Sequence, residues 1–348
     1  MTKRRLVGVT VALIVAVLVL PRLPPVRTLV ITAALVPEFI RLGPAPLSLA
    51  TTEPTRTTTT YGSPADRMDV YLPGGTSASS RLPAVVLALG VHPQPIDHPD
   101  IAGLATAIAR AGVAVSVPDS TALRNLRVTP AEPGHLADAF MTLSSRAEVD
   151  AQRVGLAGFS AGASIALVAA ADDRIAGELR YVSAFGGYAD AETLLLDVAS
   201  GSMVIDGEVV DWLPDEGIRR DLRTLLTAAI NDPQLAEGFF MAADRASASR
   251  LLRLLAPIRA DLAAISPLSH VDRIAAPVSL LHGDADTAIP ISHALLLDEA
   301  LGDRVARFTR FGRFGHGQPG ESGLALDDTP DLWALLLHLH DIVAATTE

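Results

Sequence analysis

The chain has 348 residues, of which 49% are hydrophobic and 19% charged, and its formal net charge at pH 7 is −11. This length allows one large α/β domain with an insertion, or two domains of ordinary size. The chain has no cysteine, which excludes disulfides, thiolate metal sites and cysteine nucleophiles, and its acidic balance argues against nucleic acid as a partner.

The N-terminal residues begin with a basic cluster and continue as an uncharged apolar run. Basic residues at 3–5 precede the run at 6–20, and Pro21 follows it. This order is typical of a secretory signal or a membrane anchor, and the basic flank would keep the body on the exported side. No small-x-small cleavage site follows, so we expect an uncleaved anchor within residues 1–42, with further membrane contact at 28–36. Secretion after cleavage and a buried core helix are the alternatives.

Residues 43–60 are rich in proline and threonine and nearly uncharged, which predicts a linker into the folded body. Beyond it, apolar segments of strand length alternate with helical segments. The predicted strands lie at 68–75, 82–90, 113–120, 153–160, 181–187, 276–286 and 304–312. The predicted helices lie at 101–112, 134–147, 161–171 and 329–346. This alternation predicts an α/β fold with a mostly parallel central sheet and helices on both faces.

The pattern changes between residues 188 and 265, where most of the sequence is helical and amphipathic. Residues 204–210 form a short predicted hairpin that turns at Asp-Gly. We therefore expect a core of residues 61–187 and 266–348, and a cap inserted between two strands of that core. Such an insertion can lie over the carboxyl ends of the strands as a lid.

The sequence GFSAG (158–162) lies where an apolar strand ends and an alanine-rich helix begins. Glycines on both sides of Ser160 leave room for the sharp turn that exposes a nucleophilic serine. The N-terminus of the helix would stabilise nearby negative charge. This context favours Ser160 as a nucleophile over the alternative, a Gly/Ser turn that only brings helix and strand close together.

The segment HGDADTAIP (282–290) follows another apolar strand and carries two aspartates. Here the chain resembles the α/β-hydrolase family, in particular its dienelactone-hydrolase-like and peptidase-like branches, whose acid loop reads H-G-x-x-D-x-x-[VI]-P. The matching residues are His282, Gly283, Asp286, Ile289 and Pro290. The resemblance puts the catalytic acid on Asp286 and leaves Asp284 to shape the loop. Without it, a turn held by Asx hydrogen bonds explains both aspartates.

The candidate base is His316, which lies between glycines after the last predicted strand and before the C-terminal helix. The resemblance places the family's catalytic histidine in this position. Ser160, Asp286 and His316 then occur in the chain order serine, acid, histidine that this kind of turn requires.

Acyl transfer also needs backbone donors for the oxyanion. One donor is expected at Ala161, the residue after the nucleophile. The resemblance aligns Gly90 with the glycine at the end of a family strand, so Val91 is the expected second donor. This chain has LGVHPQP where related families often have His-Gly-Gly, and His92 would shape or line the pocket.

These residues predict a serine hydrolase that cleaves a carboxylic ester or related acyl bond in a small molecule through an acyl-enzyme, without a cofactor. An amide, thioester or lactone hydrolase has the same triad. A catalytically silent binding protein at the membrane is a further alternative. Metal binding at 92–100 is disfavoured because three prolines make that segment a rigid loop. Apolar cap residues suggest a substrate compartment but fit core packing equally well: Phe239, Phe240, Met241 and Leu254.

Overall fold

The computed structural model describes residues 24–39, 46–62, 66–312, 315 and 329–347. Eight strands form one sheet in the order β1-β2-β4-β3-β5-β6-β9-β10. Their bounds are β1 Thr55–Tyr61, β2 Asp66–Leu72, β3 Leu82–Ala88, β4 Ala114–Pro118, β5 Val149–Phe159, β6 Val182–Phe185, β9 Val278–Gly283 and β10 Val305–Phe311. Strand β2 pairs antiparallel with β1 and with β4, and the remaining pairs are parallel. The predicted α/β fold with a mostly parallel sheet is confirmed.

Helices cover both faces of the sheet. In chain order they are α1 Pro24–Phe39, α2 Pro46–Ala50, α3 Pro99–Arg110, α4 Thr121–Arg124, α5 Glu132–Ser144, α6 Ala161–Ala169, α7 Ala191–Ser200, α8 Glu216–Ile230, α9 Pro233–Phe240, α10 Arg245–Leu252, α11 Arg259–Ala264, α12 Ser292–Leu301 and α13 Thr329–Thr347. Successive residues of a strand point to opposite faces. Val86 accordingly packs with α5 and α6, whereas Val85 and Leu87 pack with α3.

Between β6 and β9 lies the cap, residues 188–265, which contains helices α7–α11 and a separate two-stranded hairpin. The hairpin strands are β7 Ser202–Ile205 and β8 Glu208–Asp211. Asp206 and Gly207 both have positive φ at the turn, the backbone that an Asp-Gly hairpin turn requires. The cap also has its own apolar cluster, distinct from the clusters on the two faces of the sheet.

Helix α1 includes the apolar stretch 28–36 and packs against the C-terminal helix α13. Leu35 and Val36 are buried, whereas Leu29 and Val30 are about half exposed. Within the part of the chain that the structure describes, no helix is both long and apolar enough to cross a bilayer. The apolar run at 6–20 lies outside the described residues, so the membrane anchor stays a prediction.

The predicted linker over 43–60 instead contains helix α2, in which Leu47 is buried, and from Thr55 onward the edge strand β1. Four consecutive threonines in this strand favour extended backbone through their β-branched side chains. Asp69 on β2 is fully buried and needs donors. Arg56 donates through Nε at 3.1 Å and Thr58 through Oγ1 at 2.6 Å, both to the Asp69 carboxylate.

The burial of His338 on α13 predicts a pH-dependent stability of the fold. Its side chain is buried, and Nδ1 lies 3.0 Å from the hydroxyl of Thr309. Burial, assisted by the charge of Arg307, lowers the pKa of His338 from 6.5 to about 4. The imidazole of His338 takes up a proton at higher pH in the unfolded chain than in the folded chain. The free energy of unfolding should therefore be highest above pH 6.5 and fall between pH 6.5 and 4. The expected loss is on the order of 3 kcal/mol.

Urea unfolding at a series of pH values checks this expectation. His338→Asn keeps an acceptor for the Thr309 hydroxyl but does not titrate, so it should flatten the profile between pH 6.5 and 4. The same change at His340, which is only partly buried, should leave the profile steep. A wild-type profile that stays flat in this window would show that the buried imidazole is not responsible.

Candidate active site

Ser160 occupies a strained backbone position between β5 and α6. Its φ of 54° and ψ of −133° lie where non-glycine residues are rarely found. Its backbone N–H donates to the carbonyl of Phe185 on the adjacent strand β6 at 2.8 Å, and its carbonyl accepts from the amide of Ala163 on α6 at 2.9 Å. The turn is thus fixed on both sides, and the side chain stands at the N-terminus of α6, as the sequence context predicts.

Three glycines surround this turn, and each excludes a side chain for a specific reason. A Cβ on Gly158 would collide with the carbonyl of Gly162, and a Cβ on Gly162 would collide with the carbonyl of Ala88 at the end of β3. A Cβ on Gly90 would lie 2.9 Å from the Cβ of Ser160. The segment after β3 therefore lies directly against the serine, which is possible only because these residues have no side chains.

Gly162→Ala should destabilise the protein, because the new methyl group meets backbone atoms that cannot turn aside. We expect a loss of about 1–3 kcal/mol in the free energy of unfolding, measured by urea denaturation. Gly238→Ala is the matched control, since nothing lies within 4 Å of a Cβ at Gly238 in helix α9. The control should be neutral or stabilising by up to about 1 kcal/mol. Equal unfolding midpoints for the two variants would contradict this account of the turn at Ser160.

The acid loop, residues 284–290, follows strand β9 and buries one of its two aspartates. Asp286 is 3% exposed, and its Oδ1 accepts hydrogen bonds from the amides of Ala288 and Ile289 at 2.8 and 2.9 Å. Asp284 instead faces outward, and its carboxylate accepts from Arg310 at 2.9 Å. The Asx turn offered as an alternative is present, and it holds the Asp286 carboxylate in the interior.

His282, near the end of β9, supports the acid loop through contacts with Ile289 and Asp286. It is 1% exposed, its Nε2 donates to the carbonyl of Ile289 at 2.8 Å, and the same atom lies 3.5 Å from Oδ2 of Asp286. This histidine therefore belongs to the structural support of the carboxylate. The candidate base, His316, lies outside the described residues.

The expected oxyanion donors occupy suitable parts of the backbone. Ala161 is the first residue of α6, so its N–H precedes the first hydrogen bond within the helix and is available to a ligand. Val91 follows Gly90, the residue that lies against Ser160, and packs on the apolar cluster of the cap.

His92, the next residue after Val91, lines a cavity of about 30 Å³ together with Glu132 and His135. This volume accommodates about one water molecule. Burial lowers the pKa of His92 below its ordinary value, so the neutral imidazole is favoured. Among the described residues, which include all of 92–100, no three His, Asp or Glu side chains come together in a metal-binding group.

The cap rests directly on the candidate active site. Its apolar cluster includes Ala161, which follows the serine, and Ile289 of the acid loop. Phe239 and Phe240 are fully buried in this cluster, with their rings 5.3 Å apart and perpendicular, so they serve core packing and not a substrate compartment. Met241 and Leu254, the other two apolar residues singled out from the sequence, are exposed.

The sequence analysis does not identify one residue near the site, Trp212. Trp212 follows the cap hairpin, and its indole Nε1 donates to the backbone carbonyl of Asp286 at 2.8 Å. A single tryptophan after a hairpin is uninformative on the sequence alone. The only hint is its rarity, because the chain has two tryptophans in all.

Neither a protein-family model nor a curated protein sequence matches this chain. Solved structures do match. A puromycin-hydrolyzing peptidase of Mycobacterium tuberculosis is 18% identical, with a TM-score of 0.53 over 83% of this chain and 39% of that one. An acylaminoacyl peptidase of Pyrococcus horikoshii is 14% identical, with a TM-score of 0.51 over 82% of this chain and 40% of that one.

Dipeptidyl peptidase 4 of Porphyromonas gingivalis is also similar, with 14% identity and a TM-score of 0.50 over 81% of this chain and 36% of that one. The chain thus spans at most about two fifths of the length of these three structures. At this level of identity the likeness shows the fold and no more. The chain has the α/β-hydrolase fold, as the resemblance at the acid loop implied.

Proposed function

We propose that this protein is a serine hydrolase that cleaves a carboxylic ester or related acyl bond of a small molecule. The observation that carries the proposal is the backbone of Ser160, held at φ 54° between a buried strand and the start of a helix. Such strain persists only when the surrounding structure enforces it, and it is concentrated at functional sites. If the turn served packing alone, glycine at this position would adopt the same backbone conformation without strain.

In the proposed reaction the Oγ of Ser160 attacks the acyl carbon while His316 accepts its proton. Asp286 orients the imidazole and stabilises its positive charge, and the N–H groups of Ala161 and Val91 bind the oxyanion. Collapse of the tetrahedral intermediate expels the leaving group, which takes the proton from His316. Water, deprotonated by the same histidine, then hydrolyses the acyl-enzyme and restores Ser160.

Labelling with a fluorophosphonate probe tests the proposal against a catalytically silent binding protein. The intact protein should form one covalent adduct, which peptide mass spectrometry should assign to Ser160. Heat-denatured protein is the control, since an unactivated serine does not react. Absence of an adduct on the native protein would contradict the proposed hydrolase and leave the silent binding protein as the better account.

The bond that is cleaved has a second candidate, because the three similar structures are peptidases by name. The same nucleophile and base would also serve an amide. A panel of p-nitrophenyl esters from acetate to palmitate, run beside aminoacyl p-nitroanilides, separates the two. We expect higher kcat/KM on the esters. A higher kcat/KM on the anilides would assign a peptidase.

A further inference from the structure

The cap makes two hydrogen bonds to the backbone of the acid loop, at successive residues. The indole Nε1 of Trp212 donates to the carbonyl of Asp286 at 2.8 Å, and the amide of Asp215 donates to the carbonyl of Thr287 at 2.7 Å. Both donors lie on the short segment between hairpin strand β8 and helix α8. Two bonds at adjacent carbonyls fix both the position and the tilt of the loop relative to the cap.

The acid loop is built so that its backbone and the Asp286 carboxylate move together. Oδ1 of Asp286 is bound to the amides of Ala288 and Ile289, and the ring of His282 is bound to the Ile289 carbonyl. A displacement of the Asp286 carbonyl therefore displaces the carboxylate together with the neighbouring ring of His282. The cap contacts this part of the loop through the indole of Trp212.

Trp212 is itself held firmly enough to act as a fixed donor. Its backbone amide donates to the carbonyl of Gly201 at 2.9 Å, which closes the base of the hairpin. Its ring is partly buried and packs on the apolar cluster of the cap. Strand β8, in contrast, is exposed along its whole length, so this strand adds little buried surface. The clearest contribution of β8 is the placement of Trp212, the residue that follows it.

We propose that Trp212 is a positioning residue, through which the cap hairpin holds the acid loop in the geometry that orients the catalytic base. This role rests on the proposed function, because it requires Asp286 to act as the acid of a triad. Trp212 does not touch the reacting atoms and acts through the Asp286 backbone. The cap is thereby part of the catalytic geometry in addition to covering the site.

Trp212→Phe removes the indole N–H and keeps an aromatic ring in the cap, so it tests this role. With p-nitrophenyl acetate we expect kcat to fall about 10- to 100-fold, as for small misplacements of catalytic groups, with KM changed less than about threefold. The acid limb of the kcat/KM profile should move to lower pH, because a misoriented carboxylate stabilises the imidazolium less. A purely structural role would lower the amount of active protein without moving that limb.

Trp333→Phe is the matched control, because Trp333 on α13 is 62% exposed and should leave kcat and the pH profile unchanged. If Trp212→Phe does not fold, the indole of Trp212 can be replaced by benzothienylalanine in the Trp333→Phe background, which exchanges only the N–H for sulfur. The same kcat loss and pH shift are expected.

Fluorophosphonate labelling separates failure of this role from failure of the proposed function. Wild-type protein that labels at Ser160, together with variants that match its kcat and pH profile, would overturn the role of Trp212 alone. Wild-type protein that does not label would overturn the proposed function and this role with it.

Discussion

Replacing Ser160 by alanine is expected to lower kcat on p-nitrophenyl esters by about 10⁵- to 10⁶-fold, the scale found when the nucleophile of a triad is removed. The remaining groups can still bind the ester and its oxyanion, so KM should change little and a residual rate above that in water should persist. Alanine tolerates the strained backbone no worse than serine, so the variant should fold. Initial rates and a urea unfolding curve, measured on the same preparation, check both expectations.

Ser145→Ala is the matched control for this loss. Ser145 is exposed at the end of α5, and its hydroxyl donates only to the carbonyl of Thr142 among the bonds described there. Its removal should leave kcat unchanged. If Ser160→Ala kept more than a tenth of the wild-type rate, another group would have to be the nucleophile.

Asp286→Asn should lower kcat by about 10⁴-fold, the effect of presenting the base with an amide in place of the orienting carboxylate. The asparagine Oδ1 can still accept from the amides of Ala288 and Ile289, so the loop should keep its shape. The loss therefore reports on the missing charge and acceptor, and not on unfolding. The pH dependence of kcat/KM should lose its ordinary acid limb at the same time.

Asp284→Asn is the control that distinguishes the two aspartates of the loop. Asp284 is exposed and paired with Arg310, and an exposed ion pair contributes little to stability. We expect its kcat to stay within about threefold of wild type. A large loss at Asp284 with a small loss at Asp286 would reverse the assignment of the acid.

Local patterns were sufficient for much of the fold. The apolar run at 82–90 became β3, and the Asp-Gly turn in the predicted hairpin became the turn between β7 and β8. Both features are set by neighbouring residues: a strand covered on two faces must be continuously apolar, and a two-residue hairpin turn demands positive φ. The turn at Ser160 can be predicted for the same reason, because the neighbouring glycines, strand and helix define it.

Features that depend on contacts between residues far apart in the chain could not be predicted from the sequence. Nothing in the threonine-rich sequence before Tyr61 indicates that Asp69 is buried and requires donors from it, so the composition alone predicts a linker where β1 lies. The bond from Trp212 to Asp286 joins residues 74 positions apart. The choice of Asp286 over Asp284 needed a family resemblance, because residue order alone does not say which aspartate is buried.

The bonds from Arg56 and Thr58 to Asp69 also determine how far the folded unit can be shortened at its amino end. A fragment beginning at residue 61, where the sequence pattern set the boundary of the core, would retain the carboxylate of Asp69 and lose both donors. Removing one partner of a buried charge costs about 3–5 kcal/mol, a large share of the 5–15 kcal/mol by which typical proteins are stable. The folding unit therefore begins no later than Thr55, and the threonine-rich stretch belongs to it.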